Sequence, residues 1–181
     1  PKPSSAASDV YKRQAYCYFE ASMNANVQDQ VLLLQDLRMA IDRGQLELHY
    51  QPKFVSPDGP ITGVEALLRW SHPVRGMVAP DQFIALAEKT GFIVAIGDWV
   101  LDEACRQIAQ WRTQGLSMPV AVNLSVMQLR EVDFVERVER ALTRHAVPAS
   151  LLLCEITESV AMEDIRATHR TFEGLAAVGV F

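Results

Sequence analysis

From Leu46 onward, short runs with two-residue periodicity alternate with longer runs of helical periodicity. That alternation narrows the fold more than any other feature. A helix placed between two strands returns the chain to the same end of the sheet, so the strands lie parallel. Leu46–Phe54 reads as a strand and Ile61–Trp70 as a second, joined through the turn residues Pro57, Asp58 and Gly59. Pro80–Thr90 reads as a short helix with proline near its start, and Ile93–Gln114 as a long helix closed by Gly115. Val120–Ser125, Val132–His145, Leu151–Ile156 and Met162–Val178 continue as strand, helix, strand and helix, with Gly179 closing the last. The expectation is an α/β fold, a mostly parallel sheet or barrel that opens with an antiparallel pair. Ahead of it, Val27, Val31, Leu34, Leu37 and Ile41 recur at helical spacing and Gly44 stands where a C-cap glycine belongs, so one amphipathic helix is predicted there.

Composition removes several classes of function. A chain of 181 residues suffices for one domain with a core, and 49% hydrophobic with 22% charged residues is ordinary for a globular protein. The net charge of −5, with no basic stripe, argues against duplex nucleic acid as a partner. Cys17, Cys105 and Cys154 fit neither a zinc spacing nor a disulfide framework, which points to a reducing, cytoplasmic compartment. The longest apolar stretch, Gly91–Val100, is interrupted by Asp98, so any membrane attachment is expected from sequence outside this chain. Residues 1–14 carry no periodicity, and Asp9–Gln14 resembles the translation of a transposon end used in preparing sequencing libraries. They are read as non-native, with a polar linker as the alternative, and are set aside.

Side chains alternate faces along a strand. Glu65, Leu67 and Arg69 share one face of the second strand, opposite Val64, Ala66, Leu68 and Trp70, an apolar set suited to a covering helix layer. Asn123 shares a face with Ala121 and Ser125, Glu155 with Leu153 and Thr157, and Gln51 with Glu47 and His49. Polar groups thus recur on one face of successive strands, and α/β barrels build their sites at strand ends. Buried carboxylates need a cation or a partner. Glu65, Asn123 and Glu155 supply only oxygen donors, which suit Mg²⁺, Mn²⁺ or Ca²⁺ rather than zinc or copper. Arg69, beside such an ion, has the planar fork that clamps phosphate. The residues alone therefore point to metal-assisted chemistry on a phosphate ester. His49, His72, His145 and His169 show no zinc-helix spacing.

Tyr50-Gln51-Pro52, Glu65-Ala66-Leu67-Leu68-Arg69-Trp70, Pro80-Asp81-Gln82-Phe83-Ile84, Val122-Asn123-Leu124-Ser125 and Glu155-Ile156-Thr157-Glu158-Ser159 resemble, in order and spacing, the motifs of the EAL domain of cyclic-di-GMP phosphodiesterases. The resemblance covers roughly residues 36–181. Residues 15–23 look like the closing strand of a GGDEF domain, and 24–35 then form a linker helix, as in a GGDEF–EAL tandem. The resemblance implies a TIM-like (β/α) barrel with an antiparallel first strand. It implies hydrolysis of cyclic di-GMP to linear pGpG with two Mg²⁺ or Mn²⁺ ions, and a homodimer in the full-length protein. By motif, Glu65, Asn123 and Glu155 correspond to metal ligands, with Glu65 central to catalysis. Gln51 and Arg69 correspond to substrate contacts, Arg69 to phosphate. Glu158 corresponds to the residue that anchors a loop carrying further ligands. In the family an Asp-Asp-Phe-Gly strand follows the Gly179-Val180 pair, with a Lys, a Glu and a Gln beyond. The expectation is a barrel cut after about half its strands, inactive by itself. Two other readings stand beside it: a degenerate EAL domain that senses cyclic di-GMP without cleaving it, and an unrelated metal-dependent α/β barrel enzyme.

Overall fold

The computed structural model describes residues 27–156 and 165–181, the side chains of 165–167 excepted. The expectations for 1–14, for 15–23, for the first residues of 24–35 and for Glu158 lie outside the described residues. The chain divides into two compact units, Pro1–Met39 and Ala40–Phe181. Helix α1, over 27–40, contains the described part of the first, residues 27–39. Its predicted apolar stripe holds only near its end, where Leu37 is buried, whereas Val27 and Val31 are exposed. Beyond α1 the chain closes on Gly44 at φ 61°, with the Gln45 N–H donating to the Ala40 carbonyl at 2.9 Å. Only glycine takes that conformation without strain.

In the second unit, strands β1 (Leu46–Phe54) and β2 (Ile61–His72) pair antiparallel. A short strand β3 (Gly76–Val78) returns against the end of β2. Helices α2 (Pro80–Thr90) and α3 (Ile93–Thr113) lead to β4 (Val120–Asn123), which lies parallel to β2. Helices α4 (Val126–Leu129) and α5 (Phe134–Arg144) and a 3₁₀ turn (Ala149–Leu151) lead to β5 (Leu152–Glu155), parallel to β4. Helix α6 (Ile165–Ala177) follows. The sheet order is β1-β2-β4-β5 with β3 beside β2, an antiparallel opening followed by parallel strands joined through helices. This is the architecture that the sequence pattern predicts.

The core lies between the sheet and its helices. Val64, Ala66 and Trp70 of β2, Val120 and Val122 of β4, and Leu152 and Cys154 of β5 are all buried. They meet Phe83 and Ala87 of α2 and the apolar side of α3, including Ile96, Leu101, Ala104 and Ile108, in the same layer. Trp70 is fully buried and meets Phe83 edge-to-face, with centroids 5.6 Å apart. Each such side chain contributes about 1.5–3 kcal/mol by leaving water.

β5 is one residue shorter at each end than the sequence reading, and two strand ends differ from it by two residues, each with a cause. β2 runs on to His72 because β3 supplies a partner for Trp70, Ser71 and His72. His72, beyond the expected end of that strand, is buried, and its Nδ1 accepts from the Val74 and Arg75 N–H groups at 3.1 and 3.0 Å. Its ring thereby closes the turn into β3. β4 stops at Asn123 because Ser125 becomes the N-cap of α4. The Ser125 hydroxyl accepts from the Gln128 N–H while Gln128 Oε1 accepts from the Ser125 N–H, a reciprocal capping box.

Candidate functional site

With helices covering one face of the sheet, the alternation of each strand turns a defined set of residues to the other. Across β1 and β2 the paired residues are Glu47 with Arg69, His49 with Leu67, Gln51 with Glu65 and Lys53 with Gly63. Directly opposed residues of an antiparallel pair project from the same face. Glu65 lies level with Ala121, Ala121 with Leu153, and Asn123 with Glu155. The register therefore gathers Gln51, Lys53, Glu65, Asn123 and Glu155 on one face, with Glu47, His49 and Arg69 further along it.

Two direct contacts tie this set together. The Asn123 side-chain Nδ2 donates to Glu65 Oε1 at 2.7 Å across β4 and β2. The Lys53 ammonium donates to Glu155 Oε1, an ion pair that joins β1 to β5 between residues 102 positions apart. Both partners are about one-third exposed, at 35% and 39%. Gln51 stands opposite Glu65 in register. Arg69 lies four residues beyond Glu65, about 13 Å along the strand, and its Nη1 donates to the Leu68 carbonyl at 2.9 Å. Its cross-strand neighbour Glu47 accepts from the His49 ring at 3.2 Å. The structure thus brings together Glu65, Asn123 and Glu155, sets Gln51 next to them, and holds Arg69 further along the same face.

The donor chemistry fits a hard divalent cation. Two carboxylates and an amide oxygen offer oxygen atoms alone. Because the Asn123 N–H group is turned to Glu65, its carbonyl oxygen is the atom left for an ion. Among the described residues no three His, Cys, Asp or Glu side chains stand together as a metal-holding group.

Lys53 was not foreseen among the site residues. Its signal was present, since Glu47, His49, Gln51 and Lys53 continue one alternation. Pro52 and the turn beyond Phe54 mark that position as a strand end, and nothing local in the sequence shows that β5 lies across from it.

Other charged and reactive groups belong elsewhere. A cavity of about 350 Å³ lies between α3 and α5, lined by Asp98, Asp102, Asp133, Arg137, Arg140 and Arg144, with no residue of the sheet face among them. Arg137 bridges Asp98 at 3.0 Å and Asp133 at 2.9 Å, and its hydrogen bond holds the Asp133 carboxyl below the usual carboxylate range. Arg144 pairs with Asp102 at 2.6 Å. These pairs bind two helices together rather than aiming charge at a ligand. Cys105 and Cys154 are free and buried, and burial pushes each thiol up to about 12.

Comparison with known proteins bears on this site. A family model described as the EAL domain matches residues 34–180. The bifunctional diguanylate cyclase/cyclic di-GMP phosphodiesterase MucR of Pseudomonas aeruginosa is 54% identical over 169 residues, covering 93% of this chain and 25% of the relative. The cyclic di-GMP phosphodiesterase PdeR of Escherichia coli is 37% identical over 152 residues, covering 84% of this chain and 23% of the relative. A solved structure described as the PaMucR phosphodiesterase in complex with c-di-GMP superposes with a TM-score of 0.79 at 53% identity. It covers 82% of this chain and 61% of the solved one. The chain therefore spans about a quarter of the length of these curated relatives. The fold is that of the TIM-like barrel of such structures, present in part.

Proposed function

Because this chain belongs to the EAL domain family, we propose that the protein it comes from hydrolyses cyclic di-GMP to linear pGpG with divalent metal. The observation that carries this reading is the 2.7 Å contact of Asn123 with Glu65, together with Glu155 level with Asn123. Three oxygen donors from successive strands meet on the face that the helices leave uncovered.

In this reading Glu65, Asn123 and Glu155 hold Mg²⁺ or Mn²⁺, and Glu158 anchors the loop bearing further ligands. Bound there, such ions lower the pKa of a coordinated water and offset charge developing on the phosphate. The protein's own groups orient the substrate. Arg69 offers its guanidinium to a phosphate, once released from the Leu68 carbonyl, and Gln51 offers an amide beside Glu65. Hydrolysis consumes one water: its oxygen bonds to phosphorus, one phosphodiester P–O bond breaks, and the released ribose oxygen takes a proton. The free, buried thiols support a cytoplasmic domain, and residues 15–23 are proposed as the end of a GGDEF domain.

The test is to incubate the purified parent protein with cyclic di-GMP and Mn²⁺ and to separate the nucleotides. Formation of linear pGpG that stops on chelation is expected. Binding of cyclic di-GMP with no turnover at any Mg²⁺ or Mn²⁺ concentration would instead make it a sensor. Residues 1–181 expressed by themselves are expected to give no turnover.

A further inference from the structure

We propose that Lys53 is a built-in competitor for the cation site: its ammonium occupies the Glu155 carboxylate until a divalent ion displaces it, and so sets the ion concentration at which the site loads. The inference rests on the reading of Glu65, Asn123 and Glu155 as cation ligands.

The argument starts from how the two carboxylates are satisfied. Glu65 accepts from the Asn123 amide, and Glu155 accepts from Lys53. An ammonium is a compact cation on a long flexible stem, so it can hold a carboxylate and still swing away. Here the stem projects from β1, crosses the open face and ends on β5. The neighbouring strands require no such contact, since β1 and β5 are at opposite ends of the sheet order. Lys53 faces Gly63 in register, and Gly63 has no side chain to compete for it. Lys53 holds Oε1 of Glu155, so a divalent ion bound there either displaces it from that oxygen or binds the other one beside it, and in both cases shares the face with a unit positive charge. Two like charges within about 5 Å in a largely aqueous dielectric change affinity on the order of tenfold, less as salt rises. The pair is partly exposed, so Lys53 has room to move into solvent once displaced.

The experiment uses the full parent protein and measures Mn²⁺ binding directly, from the electron spin resonance signal of free Mn²⁺, at low and high ionic strength. Lys53→Met removes the charge and keeps the length, Lys53→Arg keeps the charge, and Glu155→Gln tests the underlying reading. Lys53→Met is expected to tighten binding on the order of tenfold at low salt, with the gain shrinking at high salt, while Lys53→Arg stays within about threefold of the natural protein. Glu155→Gln is expected to weaken binding. If Lys53 merely braced Glu155, Lys53→Met would weaken binding. Weakened or unchanged binding in Lys53→Met, with Glu155→Gln weakened as expected, overturns the role of Lys53 and leaves the cation site standing. Unchanged binding in Glu155→Gln overturns both.

Discussion

The Asn123 amide donates to Glu65 Oε1 at 2.7 Å, which fixes which of its atoms faces outward. Truncating it removes an oxygen donor and frees the Glu65 carboxylate to rotate. We expect Asn123→Ala in the parent protein to lower the rate of hydrolysis by at least about a hundredfold and to raise the Mn²⁺ needed for half-maximal rate. Denaturant unfolding should shift little, because the contact is exposed; a large loss of stability with retained rate would contradict the assignment. The thiols give a second residue-scale prediction. Cys105 and Cys154 ionise near 12 rather than 9.0 because they are buried, so the folded state prefers the neutral thiol. Their contribution to stability is complete below about 9 and is lost as pH rises from there to about 12, because the unfolded thiols ionise first. At pH 8 both should resist a thiol reagent in the folded protein and react on unfolding, and rapid labelling of either in the native state would contradict the burial. At this scale Glu65, Asn123 and Glu155 were legible, because strand alternation alone assigns them a face. Lys53 was not, because its partner is set by the curvature of a sheet 102 positions away.

Elements carry the next constraint. Helix α4 has only four residues, yet it ends β4 directly after Asn123 and holds that end through the Ser125–Gln128 box. Gln128 is buried against Gly97 of α3, where an added Cβ would stand 2.0 Å from Nε2 and 2.4 Å from Cδ. Buried as it is, the amide cannot swing into solvent. Gly97→Ala is therefore expected to destabilise the protein by about 1–3 kcal/mol in denaturant unfolding. Gln128→Ala loses the capping box but empties the contested space, so the two changes together should cost less than the sum of their separate costs. Simple additivity would mean that Gly97 matters for another reason. Long elements with sustained periodicity, such as α3 and β2, were legible from sequence. β3 and α4 were not. A strand of three residues and a helix of four have too few positions for a period, and both exist through partners: β3 through the end of β2, α4 through its box and α3.

At the largest scale, the unit Ala40–Phe181 is part of a barrel whose polar face is made by strands far apart in sequence. On the far side of β5 the Cys154 N–H donates to the Phe181 carbonyl at 2.6 Å. The overall order was legible because a helix between two strands leaves little choice but parallel packing. The central claim is that the Glu65 side of this face is where a cation and cyclic di-GMP meet. It is tested most directly by the hydrolysis rate of the purified parent protein with and without Glu65→Ala, followed as conversion of cyclic di-GMP to linear pGpG with Mn²⁺ present. Loss of one carboxylate from the cation site costs several kcal/mol of transition-state stabilisation, and the account predicts a fall of at least about a thousandfold with the variant still folded. Hydrolysis by Glu65→Ala at the rate of the natural protein would contradict it.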